Sequence, residues 1–235
     1  LSASMPSMTD DIEPRLRHAP RAPFSLLVTL TACGTLGMHM IIPALPSTAT
    51  ALHVGAGTIQ LAITLYLVGL AIGQLAYGPV SDRFGRRPVL LAGLALYTAA
   101  GFVAAAAPNA AALIVARVFQ SLGGCSGLVL GRAIVRDAAS ADRAAGQLAL
   151  LTLVMSAVPA IAPVIGGYAT AWFGWRASFF LLAAFGGLVL ALTWRFLPET
   201  LGPRDASRGA AAMLFSYLRL LRSRAPYALG RALGV

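Results

Sequence analysis

Six long apolar stretches divide the chain, and the polar residues collect between them. The stretches are Phe24–Leu45, Thr58–Gly78, Val89–Ala107, Ala111–Gly131, Gln147–Trp172 and Ala177–Leu197. Each holds about 20 residues, enough at ~1.5 Å per residue to cross a hydrocarbon core of ~30 Å as a helix. Pro108-Asn109 leaves only a tight turn between the third and fourth, so those two form an antiparallel pair. The pattern therefore predicts an all-α membrane protein built as a six-transmembrane-helix bundle over residues 24–198. Before it lies a polar tail, residues 1–23. After it come a basic segment, residues 199–225, and a last apolar run, residues 226–235, too short to span.

Composition supports the membrane reading. The chain is 58% hydrophobic and 11% charged, where a soluble domain carries about 25% charged residues. The net charge of +10 does not point to nucleic acid, because the arginines flank apolar spans and build no continuous basic face. All 18 basic residues are Arg. Sixteen fall on one side of the predicted membrane: on the N-terminal tail, between spans two and three and spans four and five, and from Arg195 onward. Arg176 alone faces the other side, and Arg117 lies inside span four. The excess of Arg marks the cytoplasmic side, so both termini are predicted to be cytoplasmic. Cys33 and Cys125 sit inside apolar spans, without metal-ligand spacing or a disulfide context. Nothing in the chain calls for a metal or a cofactor, and the connecting segments are too short for an enzyme site. No secretory signal is evident before span one, and the absence of Met at position 1 hints at a fragment or an alternative start codon.

The segment between spans two and three carries the most specific signal. Gly78-Pro-Val-Ser-Asp82-Arg83-Phe-Gly85-Arg86-Arg87 resembles the signature loop of the major facilitator superfamily and matches its fixed positions. Further stretches are similar to the Bcr/CflA drug-resistance branch. They are Gln74 to Pro79, Arg117 to Gly123, Arg132 to Asp137, Pro159 to Gly167, and Gly174-Trp175-Arg176. The resemblance covers residues 22–235 and implies one half of a twelve-helix fold of three-plus-three inverted repeats. An internal echo agrees with it. Phe84-Gly85-Arg86-Arg87 precedes span three and Phe173-Gly174-Trp175-Arg176 precedes span six, on opposite membrane faces.

The resemblance implies proton-coupled efflux of small molecules, drug:H+ antiport, across a bacterial cytoplasmic membrane by alternating access. Substrate, protons, the lipid bilayer and a second six-helix half are the expected partners. The alternative is a truncated remnant or an assembly subunit that does not transport. In the signature loop, Gly78 and Gly85 allow tight turns and close helix approach. The family implies that Asp82, Arg83 and Arg86 form a charge-relay latch, with Arg87 beside them; the plainer reading is a basic loop that only sets orientation.

Arg117 lies about two turns inside span four, where an uncompensated Arg costs roughly 2.5–3.5 kcal/mol on insertion scales. It should face the bundle or a cavity, and the resemblance implies a part in proton transfer or its coupling, unless it snorkels to the outer interface. Gly123, Gly127 and Gly131 form a small-residue stripe, as do Gly69 and Gly73, and both read as packing. Pro159 and Pro163 should bend span five. With Gly166 and Gly167 they resemble the antiporter motif of helix five, though Ala162 replaces its first Gly.

Span one departs from the branch. Where the branch carries an Asp shortly before Leu-Pro-Ala, this chain has His39 ahead of Ile42-Pro43-Ala44. Thr31, Thr35 and His39 recur every four residues on one helix face. No Asp or Glu occurs in any span, so His39 is the one span residue of a type that changes charge near neutral pH. It is either a proton carrier or a neutral, hydrogen-bonded His, and the missing acid weakens a cationic substrate. Gln60, Thr64, Tyr66, Gln120 and Met155 complete the cavity candidates, chosen by polarity and position.

Overall fold

The computed structural model describes residues 23–138 and 141–198. The tail, the basic segment and the last apolar run of the sequence reading lie outside those residues. Among the described residues six helical segments are long and apolar enough to cross a membrane, as the hydrophobic pattern predicts. The first is interrupted. Helix α1 (Phe24–His39) gives way to a 3-10 turn (Ile42–Ala44) and a short α2 (Leu45–Ala51). The cause is local, since Pro43 and Pro46 supply no N–H to a continuous helix. The other five spans are α3 (Ala56–Phe84), α4 (Arg86–Ala105), α5 (Ala110–Ala138), α6 (Ala141–Phe173) and α7 (Trp175–Phe196).

The predicted signature loop is almost entirely helical. α3 continues through Pro79 to Phe84 and α4 begins at Arg86, so the connection is the single residue Gly85. Its φ of 95° is one that glycine alone adopts without strain. The echo before the sixth span is built the same way: Gly174, with φ of 81°, is the one residue between α6 and α7. The equivalence extends to side chains. Arg87, at the start of α4, donates to the Trp194 carbonyl at 2.8 Å in the last turn of α7. Arg176, at the start of α7, donates to the Ala107 carbonyl at 3.2 Å just past α4. Each arginine thus caps carbonyls that the end of the other helix leaves unsatisfied, and the two clasps sit at opposite ends of the bundle.

α1 and α5 form the centre. Over half of their apolar stretches is buried, against 28% for α3 and 17% for α6. α4 and α7 pack against each other behind α5, while α3 and α6 flank the pair. Close approach at the centre depends on glycine. A side chain on Gly127 would meet the Leu30 carbonyl, and one on Gly124 would meet Gly34 at 3.1 Å. The stripe predicted along Gly123, Gly127 and Gly131 therefore divides. Gly123 faces α4 near Tyr97, and Gly127 and Gly131 face α1. Gly69 and Gly73 bring α3 against Ser121 and Cys125 of α5. Gly78 differs from the expectation: it lies within α3, and nothing stands within 4 Å of where its Cβ would be.

The most apolar span is also the least buried. α6 exposes Leu153, Ile161, Val164, Ile165 and Tyr168 although its own bundle has helices to spare. With α3, it leaves one face of the bundle open on the side away from α4 and α7.

Candidate functional site

The burial pattern of α5 places Arg117 in the middle of the bundle. Its guanidinium is fully buried and does not snorkel. Nη1 donates to Gln120 Oε1 at 2.6 Å and Nη2 to the Gly37 carbonyl at 2.7 Å. The Tyr66 ring lies 3.9 Å from Cζ, and the Phe179 ring lies 5.9 Å away. Tyr66 is itself fixed by a 2.9 Å bond from its hydroxyl to the Gly34 carbonyl. A buried cation is costly without compensation, and here the compensation is two charge-assisted bonds and a desolvated aromatic face. No carboxylate among the described residues takes part. Arg117 Nε, Gln120 Nε2 and the Tyr97 hydroxyl are buried without a hydrogen-bond partner among the described residues. The cluster therefore holds three unused donors in one neighbourhood, around α1, α3, α4, α5 and α7. Tyr97 and Phe179 were not among the sequence candidates, because only the packing of α4 and α7 behind α5 brings them to the cluster.

His39 ends α1 where the helix breaks. It is half-buried, and its Nδ1 lies 2.9 Å from the Thr35 carbonyl. A carbonyl only accepts, so Nδ1 carries the hydrogen, and in that neutral tautomer Nε2 is the acceptor nitrogen. Thr35 also reaches across to Met155 Sδ of α6 at 3.9 Å. Thr31 does not share that surroundings. It is buried, bonded to the carbonyls of Leu27 and Val28, and its methyl packs toward Gly131. It belongs to the α1–α5 contact and not to an open cavity. Tyr66 and Gln120 are likewise buried in the arginine cluster, whereas Gln60 and Thr64 are exposed on α3.

The helix-five motif faces the break in α1. α6 stays helical through Pro159 and Pro163. A side chain on Gly166 would strike the Met40 carbonyl, and a Cβ on Gly167 would lie 3.8 Å from Pro43. The Ser178 hydroxyl lies 3.3 Å from the Gly166 carbonyl. The motif thus seats α6 on the segment right after His39.

At the predicted cytoplasmic end, Arg86 is the hub of a three-helix clasp. Its guanidinium reaches Asp82 of α3 at 2.8 Å, Asp137 of α5 at 3.1 Å and the Ser81 hydroxyl at 2.6 Å. Arg86 and Arg87 open α4, where the helix dipole disfavours cations, and the two acids offset that placement. Arg83 is outside the clasp: it is exposed, with its guanidinium 5.1 Å from the Phe84 ring. Asp137 is the member that the signature alone does not include, since it arrives from a helix more than 50 positions away.

Known proteins place this geometry in context. The family model described as Major Facilitator Superfamily matches residues 27–234. A chloramphenicol resistance protein of Pseudomonas aeruginosa is 38% identical over 185 residues, 78% of this chain and 44% of that protein. Multidrug resistance protein D of Escherichia coli is 36% identical, over 83% of this chain and 49% of its own length. A bicyclomycin resistance protein homolog of Haemophilus influenzae is 32% identical, over 77% and 46%. The chain thus spans about half the length of the curated relatives it matches. The crystal structure of the human organic anion transporter MFSD10 (TETRAN) superposes with a TM-score of 0.58 at 23% identity, over 77% of this chain and 48% of that one, a likeness of fold. Six helices long and apolar enough to cross a membrane, two matched glycine connections and a family match over most of the sequence lead to one conclusion: this chain belongs to the major facilitator superfamily.

Proposed function

We propose that this chain is the N-terminal half of a proton-coupled efflux transporter of a bacterial inner membrane, exporting small molecules in exchange for protons. The observation that carries the reading is the Arg86 clasp, which ties the ends of α3, α4 and α5 through two partly exposed carboxylates. A contact of that kind is strong enough to hold one end of a bundle closed and weak enough to be exchanged. Exposed ion pairs contribute at most about 1 kcal/mol each. With both termini cytoplasmic, the clasp lies on the inner side and closes it in the outward-facing state. The open face between α3 and α6 is the surface against which a second six-helix half rocks.

His39 and Arg117 divide the coupling. His39 Nε2 takes the proton. Arg117, charged throughout and bonded to the Gly37 carbonyl two residues before His39, links that event to the Tyr66–Gln120 packing between α1, α3 and α5. Thr35 and Met155 border the path, and Gly166 and Gly167 let α6 follow the α1 break as it moves. Gln60 and Thr64 are offered as further lining. The exposed face of α6 also favours a second reading, a six-helix membrane protein that acts as an assembly subunit and does not transport by itself.

The test is efflux of a panel of fluorescent dyes of both charges from cells expressing the chain, alone and with the C-terminal half of a relative. A proton uncoupler is added in parallel. Uncoupler-sensitive efflux of any dye is the expected result with both halves, and His39→Ala should lower it at least tenfold. Efflux that ignores the uncoupler would remove proton coupling. Absence of efflux with both halves in the membrane would leave the assembly reading.

A further inference from the structure

The open face carries a pocket of about 340 Å³. Its walls are Gln74 of α3, Leu128, Val129, Arg132 and Arg136 of α5, and Leu148 of α6. The sequence reading assigned Arg132 and Arg136 to a connecting loop that orients the chain. They stand instead on the last two turns of α5, one turn apart, where helical spacing puts both on the same side. Both are exposed, and neither forms an ion pair among the described residues.

The pocket is divided by chemistry. Leu128, Val129 and Leu148 supply an aliphatic floor, and Gln74 and the two guanidinium groups supply N–H donors. Two like charges one turn apart repel each other, and no Asp or Glu is among the residues that line the pocket. No Asp or Glu occurs in the six apolar stretches of the sequence. The Asp82 and Asp137 carboxylates at the ends of α3 and α5 are both engaged by Arg86. Polar residues farther along the flanking helices are neutral: Gln60 and Thr64 on α3, Thr152 and Ser156 on α6. A cation would meet repulsion and find no carboxylate in the pocket walls. An anionic oxygen group would find two planar forks suited to bidentate contact, and its apolar body would cover the aliphatic floor. The volume lies within the roughly 300–1,000 Å³ of small-molecule sites.

We propose that this pocket is the inner-side docking site for the transported molecules and that they are amphiphiles bearing a carboxylate, sulfonate or phosphate. The inference rests on the transport reading and adds the charge class of the substrate. Arg132 and Arg136 bind the anionic group, and Gln74, Leu128, Val129 and Leu148 shape the site around it.

The experiment is a binding titration on the purified full chain in a neutral maltoside detergent, separate from any transport assay. Two dyes of one xanthene core are compared, anionic carboxyfluorescein and a cationic rhodamine ester. Carboxyfluorescein should bind at least tenfold more tightly than the rhodamine, and added salt should weaken it. The double variant R132Q/R136Q should lose at least tenfold in carboxyfluorescein affinity, with rhodamine binding unchanged or improved. R132K/R136K should recover part of the loss. R195Q, which removes one arginine charge at the end of α7, should change nothing. Preference for the rhodamine, an unaffected double variant, or no binding of either dye would overturn the proposal. So would displacement of carboxyfluorescein by phosphatidylglycerol at concentrations where phosphatidylcholine has no effect, since the pocket would then be a lipid headgroup site. If the dyes bind as expected but cells show no efflux, the charge assignment stands and the transport reading fails.

Discussion

Tyr66 performs two separable tasks, and substitution can part them. Its ring lies under the Arg117 guanidinium, and its hydroxyl bonds the Gly34 carbonyl. Tyr66→Phe keeps the ring and should cost about 1 kcal/mol, the usual value of one hydrogen bond. Tyr66→Leu removes the aromatic face from a desolvated cation as well, a contact worth about 2 kcal/mol more. Unfolding of the purified chain in detergent should therefore rank wild type above Tyr66→Phe and that above Tyr66→Leu. Equal losses would mean that the ring carries nothing. Arg117 is the reason the ranking matters, because its charge has no acid to balance it and depends on neutral partners alone.

Two glycines of one motif make opposite predictions at the scale of elements. Gly85 is the entire connection between α3 and α4 and holds φ of 95°. Gly85→Ala should strain the turn by roughly 1–3 kcal/mol. Gly78 sits inside α3 with open space around it, where Ala is the better helix former by roughly 0.5–1 kcal/mol. Gly78→Ala should leave thermal stability in detergent equal or higher. If both variants lose stability alike, Gly78 meets a neighbour that the bundle itself does not contain. The matching Gly174 turn explains how a short internal echo of sequence produces equivalent helix pairs: each lets the chain reverse within one residue, and each sets an arginine in place to cap the partner helix.

For the whole molecule, the clasp is the element that links distant parts of the chain. Asp82, Arg86 and Asp137 come from three helices and share one guanidinium. Asp137→Asn should loosen the α5 end, and Asp82→Asn the α3 end. The double variant should add little to the stronger single one, because both act through Arg86. Cys125 is a natural reporter, buried and bonded to the Leu70 carbonyl at the α3–α5 contact. Its labelling by a membrane-permeant maleimide should be several-fold faster in Asp137→Asn than in wild type. Unchanged labelling would show that the clasp does not control how α3 and α5 part.

Periodicity, proline and charge determined most of this architecture directly. Spans of about 20 apolar residues have one way to satisfy their backbone in a bilayer, so six helices follow from hydropathy alone. The signature run and the Arg117 stretch identified the family because their residue types and spacing are rare in apolar surroundings. What sequence reasoning missed depends on where side chains meet. Continuation of α3 through Pro79 turned an expected loop into helix, and α5 ran on to take Arg132 and Arg136 out of a loop and into a pocket wall. Thr31 and Thr35 share a spacing, yet packing on Gly131 buries one while the other reaches Met155. Asp137 joined the clasp, and Tyr97 and Phe179 the arginine cluster, through contacts between helices that no local pattern records. A linear pattern records which side chains a helix carries on each face; only the packing of helices against one another decides which of those faces meet.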